Sequence, residues 1–184
     1  MNFELKNTVA SLQQAKTILY PTDTVWGIGC DATNEKAVSK IYQIKQREES
    51  KSLIILVSSL EMLEKYVAVP EKAIHILQKA TKPTTIIYKF PKGLASNVIA
   101  KDHTVAIRIV KDEFCIKLIQ QFGKPIVSTS ANISGNPTPK TFSEIAETIL
   151  EAADYIVNLQ QDIVASKSST ILRIEGDNIE VIRE

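Results

Sequence analysis

Short β-branched apolar runs recur along this chain, and segments with helical periodicity fill the intervals between them. Residues 17–20, 25–29, 52–57, 84–90, 104–110 and 125–130 read as strands. So do 155–158, 169–175 and 178–183, the last two flanking the hairpin signal Gly176-Asp177. In the intervals, Leu5, Val9, Leu12 and Ala15 recur at helical spacing, as do Ala37, Val38, Ile41 and Ile44. Ser58 and Ser59 offer an N-cap for a helix to about Tyr66, and Pro70 starts another at its first turn. Residues 112–122 form a helix ended by Gly123, and Thr141 with Glu144 makes a capping box for a helix to about Leu150. Such interleaving predicts an α/β or α+β fold with a mixed sheet. At about 150 residues per domain, residues 1–184 are expected to form one domain.

Composition narrows the function classes. Apolar runs such as 53–57 reach about a quarter of the ~20 residues a bilayer span requires, and residues 1–16 lack an apolar signal core. Cys30 and Cys115 lie far apart with no ligand-spaced partner, as do His75 and His103. Two reduced, buried thiols in a cytoplasmic protein are the expectation, with no metal held by protein ligands. The net charge of +1 gives no whole-surface footprint for nucleic acid. Of 22 basic residues only Arg47, Arg108, Arg173 and Arg183 are arginines. In a lysine-rich chain each arginine marks a candidate for bidentate recognition of carboxylate or phosphate.

Four constellations can carry chemistry, and each has a plain structural alternative. YPTDTVWGIGCDA, residues 20–32, places hydroxyls and a carboxylate at a strand end, where open sheets hold ligands. The alternative is a tight turn with Asp23 as a local hydrogen bonder. The glycines make no dinucleotide fingerprint, because the third glycine is missing. KQREESKSL, residues 45–53, can converge cations on a polyphosphate or merely place them at a helix C-terminus. STSANISG, residues 128–135, can form an anion nest or a plain polar loop; a serine nucleophile is disfavoured without an elbow motif. Arg108, in the alternating strand TVAIRIV, needs an anion if buried and none if its face is exposed.

Together these residues resemble the YrdC-like threonylcarbamoyl-AMP synthase family. PTDT, then Lys45-Gln46-Arg47, the VAIR strand, SxSAN-x-SG and SSTILRI follow one another in family order across about residues 15–183. The resemblance implies a twisted, open mixed sheet with flanking helices and a concave ligand cavity. It implies synthesis of threonylcarbamoyl-AMP and pyrophosphate from L-threonine, bicarbonate or CO2, and ATP. The product would feed tRNA threonylcarbamoyl transferase machinery. Magnesium would be held through the phosphates, with water-mediated help from Asp23 or Asp31.

The resemblance also assigns residues. Thr24, Arg108 and Ser169 would hold threonine. Lys45, Arg47, Ser130 and Asn132 would act on the phosphates as the catalytic set. Lys51, Thr104, Thr138 and Arg183 would add ATP contacts. Glu48 and Ser52 stand where the family usually has proline, so the nucleotide loop is less constrained in φ. Two rival readings remain: a YrdC-like domain that binds RNA weakly on its concave face, and a paralogue without synthase activity.

Overall fold

The computed structural model describes residues 1–48, 52–165, 168–176 and 178–184. In chain order its elements begin with α1 (Asn2–Gln13), β1 (Ile18–Tyr20), β2 (Gly27–Asp31), α2 (Glu35–Ile44) and β3 (Ile54–Val57). Next come α3 (Leu60–Glu64), α4 (Glu71–Lys79), β4 (Thr84–Lys89), β5 (Thr104–Ile109) and α5 (Glu113–Phe122). The chain continues through β6 (Ile126–Ser130), α6 (Glu147–Ala152), β7 (Tyr155–Ile156), β8 (Thr170–Glu175) and β9 (Asn178–Arg183). The strands hydrogen-bond into one sheet in the order β7-β1-β2-β6-β3-β5-β4-β8-β9. The β1–β7, β3–β5 and β4–β8 pairs are parallel and the rest antiparallel, so the sheet is mixed.

Side chains alternate across the sheet with a period of two. On one face Leu19, Ile28, Ile55, Ile86, Ile107 and Val127 pack with Ala37, Val38 and Ile41 of α2 and with α3 and α4. On the other, Ile18, Tyr20, Leu56 and Ile126 pack against Leu5 and Leu12 of α1 and Phe114, Leu118 and Ile119 of α5. Burial of apolar area on both faces supplies the main stabilisation, at roughly 25 cal/mol per Å². The second face then turns polar: β6 continues from Ile126 to Ser128 and Ser130, and Arg108 lies beside Leu56 and Thr85. A polar-lined cavity opens there.

Local signals set most boundaries. The side chains of Asn34, Ser59 and Asp112 cap α2, α3 and α5, and Gly123 ends α5 at φ 76°. Pro70 sits one position earlier than expected, at the N-cap of α4. The expected capping box at Thr141 does not form. Thr141 Oγ pairs with Ser143 Oγ at 3.0 Å, and the Glu144 carboxylate accepts from Lys140 N at 2.8 Å. A short turn at Phe142–Glu144 precedes α6, because Phe142 packs on Trp26 at 4.9 Å between ring centroids. Tertiary packing outweighs a weak local cap here. Both cysteines are free and buried, and burial pushes both thiols up.

Candidate active site

A cavity of about 230 Å³ opens on the polar part of the second sheet face. Its wall includes the PTDT turn, the start of β3, the middle of β5, the end of β6, and the segment around Ser169 that leads into β8. The charged side chains among its described lining residues are Arg47, Arg108 and Arg183. No carboxylate is among that lining. Three of the chain's four arginines therefore converge on one small space, a lining suited to several anionic groups at once.

Arg108 is 3% exposed and forms the floor. Its Nη2 lies 3.0 Å from Asp23 Oδ1, and Nη1 donates to Thr24 Oγ at 3.3 Å. The Thr22 hydroxyl donates to Val25 O at 2.8 Å and accepts from Thr24 N at 3.1 Å. Since that single proton is committed, the 3.0 Å contact between the two threonines runs from Thr24 Oγ to Thr22 Oγ. A directed chain thus fixes the guanidinium to the turn. Asp23 reaches well beyond its own turn: its Oδ2 accepts from Lys111 N, 88 residues away. The Thr22 hydroxyl closes the turn locally.

On the opposite wall Ser169 is 1% exposed. Its hydroxyl lies 2.9 Å from that of Thr85 and accepts from Arg183 Nη2 at 3.2 Å. Arg183 also donates twice to Ser169 O. Burial and then the nearby Arg108 charge lower the pKa of Arg183, and burial lowers that of Arg47. Both shifts disfavour the charged form, and an anion in this space would favour it. Arg47 Nη2 donates to Ser52 O at 3.0 Å at the mouth.

Two expected phosphate contacts behave differently. Lys45 does not line the cavity. It is 1% exposed beneath the loop after β6, where Nζ donates to Ser130 O at 2.5 Å and Asn132 O at 2.6 Å. Burial and the neighbouring Arg47 lower its pKa to about 8. Asn132 also turns inward, with Nδ2 donating to Ile133 O and Asn136 O. It faces a neighbouring space of about 280 Å³ that Thr138 shares with the main cavity. Lys45 and Asn132 build the loop whose Ser130 reaches the cavity.

Of the remaining expected residues, Thr24, Ser130, Thr138 and Ser169 line the cavity. Thr104 does not: its hydroxyl donates to Asp102 at 2.6 Å, and it borders a separate cavity of about 430 Å³ with Arg173. Lys51 lies outside the described residues. Asp31 is engaged by Lys124 and Thr33, away from the cavity. The sequence reading included Thr22 and Ser128 only as hydroxyls of the PTDT and STSANISG motifs and gave neither a role of its own, and it assigned none to Thr85.

The glycines of the WGIG segment serve close packing. A Cβ on Gly29 would lie 2.0 Å from Val127 O, inside the backbone of β6. A Cβ on Gly27 would meet the Ser128 hydroxyl at 3.1 Å on the cavity wall.

Residues 10–184 match the family pattern of Sua5, YciO and YrdC, described as telomere recombination. The chain belongs to the Sua5/YciO/YrdC family. The threonylcarbamoyl-AMP synthase of Photobacterium profundum is 36% identical over 147 residues, covering 77% of this chain and 78% of that protein. A Methanocaldococcus jannaschii protein provisionally given the same name is 42% identical over 170 residues, covering 92% and 79%. P. abyssi Sua5 complexed with L-threonine superposes with a TM-score of 0.87 at 27% identity. That alignment covers 100% of this chain and 54% of Sua5. E. coli YciO, at 23% identity and a TM-score of 0.88, shares the fold over 90% of its length.

Proposed function

We propose that this family member joins L-threonine, bicarbonate or CO2, and ATP into threonylcarbamoyl-AMP, releasing pyrophosphate. The observation that carries this reading is the convergence of Arg47, Arg108 and Arg183 on a cavity with hydroxyls and no carboxylate among its described lining. The relatives named as threonylcarbamoyl-AMP synthases, and the Sua5 structure with L-threonine, support the choice of reaction.

The reactants are anions, and their repulsion is part of the barrier. Arg108 would hold the threonine carboxylate beside Thr24, with Ser169 on the facing wall. The neutral amine attacks CO2 to give a carbamate and releases one proton. A carbamate oxygen then attacks the α-phosphorus, and the bond to the bridging oxygen breaks as pyrophosphate leaves. Arg47, Ser130, Thr138 and Arg183 would surround the phosphates, stabilising charge on the equatorial oxygens. Magnesium would be held through the phosphates of ATP and would supply further charge neutralisation there. Among the described residues no three His, Cys, Asp or Glu side chains come together as a metal cage.

No helix among the described residues is long and apolar enough to cross a membrane. We place the reaction in the cytoplasm, where ATP, threonine and tRNA meet, and assign the product to a tRNA threonylcarbamoyl transferase. Incubation with magnesium, ATP, bicarbonate and threonine should release pyrophosphate and form a labile acyl-adenylate. Equal turnover without threonine would overturn the assignment.

A further inference from the structure

We infer that Asp23 is a positioning residue for amino-acid recognition: it holds Arg108 so that the remaining guanidinium edge faces the threonine carboxylate. This inference rests on the threonine-site reading above. The carboxylate is not among the cavity lining, so it acts from behind the arginine rather than on substrate. The pair is buried, with side-chain exposures of 4% for Arg108 and 10% for Asp23. Asp23 is itself anchored, because its second oxygen accepts from Lys111 N just past β5. The turn after β1 and the end of β5 are thereby tied through one carboxylate.

A guanidinium has five N–H groups in a fixed plane. Asp23 faces Nη2 and Thr24 accepts from Nη1, while Nε is buried without an acceptor. Two nitrogens are thus tethered to the protein, and the second N–H of each terminal nitrogen remains for a ligand in the cavity that Arg108 lines. A carboxylate arriving at this edge finds the plane already set and loses less side-chain freedom on binding. Without Asp23, Arg108 would retain the Thr24 hydroxyl and could rotate toward other anions in the cavity, including phosphate.

The test is a double-mutant cycle read by calorimetric titration of threonine and, separately, of ATP. Asp23→Asn keeps the shape and removes the charge. It should weaken threonine binding about tenfold and leave ATP affinity within about twofold. In the Arg108→Lys background the same substitution should change threonine affinity by less than about twofold, because its effect passes through the guanidinium. An equal loss in both backgrounds would overturn the inference and leave Asp23 a general stabiliser. Tighter threonine binding in Asp23→Asn would also overturn it, by showing that Asp23 competes with substrate for Arg108. A substrate-free readout separates this from the reaction assignment: nitrogen-15 spectra of the arginine Nε–H groups. The Arg108 signal should be slowly exchanging in the wild type and broaden in Asp23→Asn. An unchanged signal would overturn positioning even if the protein makes threonylcarbamoyl-AMP; failure of threonine-dependent pyrophosphate release would instead strike the reaction.

Discussion

Replacing Lys45 by Met asks whether this cation builds the phosphate wall from beneath or acts in the open cavity. The side chain is 1% exposed and Nζ joins two loop carbonyls. Burial, then Arg47, lower its pKa from 10.5 to about 8. Between those values the unfolded chain binds more protons than the folded one. The group's contribution to stability therefore rises with pH through that window, is complete above 10.5, and is lost as pH falls through about 8. At pH 7 the drop corresponds to a cost of about 3 kcal/mol for burying the charge beside Arg47. Two hydrogen bonds from an ammonium contribute about 1.5–3 kcal/mol each and offset that cost. Met removes both sides of the balance and leaves two covered carbonyls without their donor, so Lys45→Met should lose about 1–3 kcal/mol at pH 7. The deficit should deepen by about 2 kcal/mol at pH 9.5, since only the wild type gains by discharging Lys45. Urea unfolding of both proteins at the two pH values measures this directly. A deficit that stays constant or shrinks at pH 9.5 would refute the buried-cation account.

Arg47→Ala should lower kcat by about 10²-fold while shifting unfolding by less than about 1 kcal/mol, because the residue is half-buried at the mouth and its bond to Ser52 O is exposed to solvent. Unaltered steady-state rates would return Arg47 to a helix-end role. Arg108→Lys should weaken threonine binding by about 1.5–3 kcal/mol and spare ATP, which calorimetry of each ligand resolves. Loss of ATP affinity with threonine affinity intact would invert the map of the cavity. Gly29→Ala should prevent folding or lower stability by several kcal/mol, since its Cβ would fall 2.0 Å from Val127 O. A thermal melt like that of the wild type would contradict the close β2–β6 approach.

The order of elements was readable because alternation and helical spacing report local periodicity, which each segment carries by itself. Asn34, Ser59, Asp112 and Gly123 are short-range signals and act where the sequence places them. The break before α6 was not readable, because it depends on Phe142 meeting Trp26, 116 residues earlier. Arginine scarcity marked all four arginines alike, and the structure brings Arg47, Arg108 and Arg183 to one cavity while Arg173 borders another. Sequence alone could not say which charges face the cavity. Lys45 and Arg47 are two residues apart, yet one points under the loop after β6 and the other toward the opening. Asp23 and Arg108 are 85 positions apart and become partners only when the turn after β1 reaches the middle of β5. Local periodicity thus determined the elements and the stock of cations. The tertiary structure decided which cations line the cavity, because burial and hydrogen-bond partners arise from segments that meet only in the folded sheet.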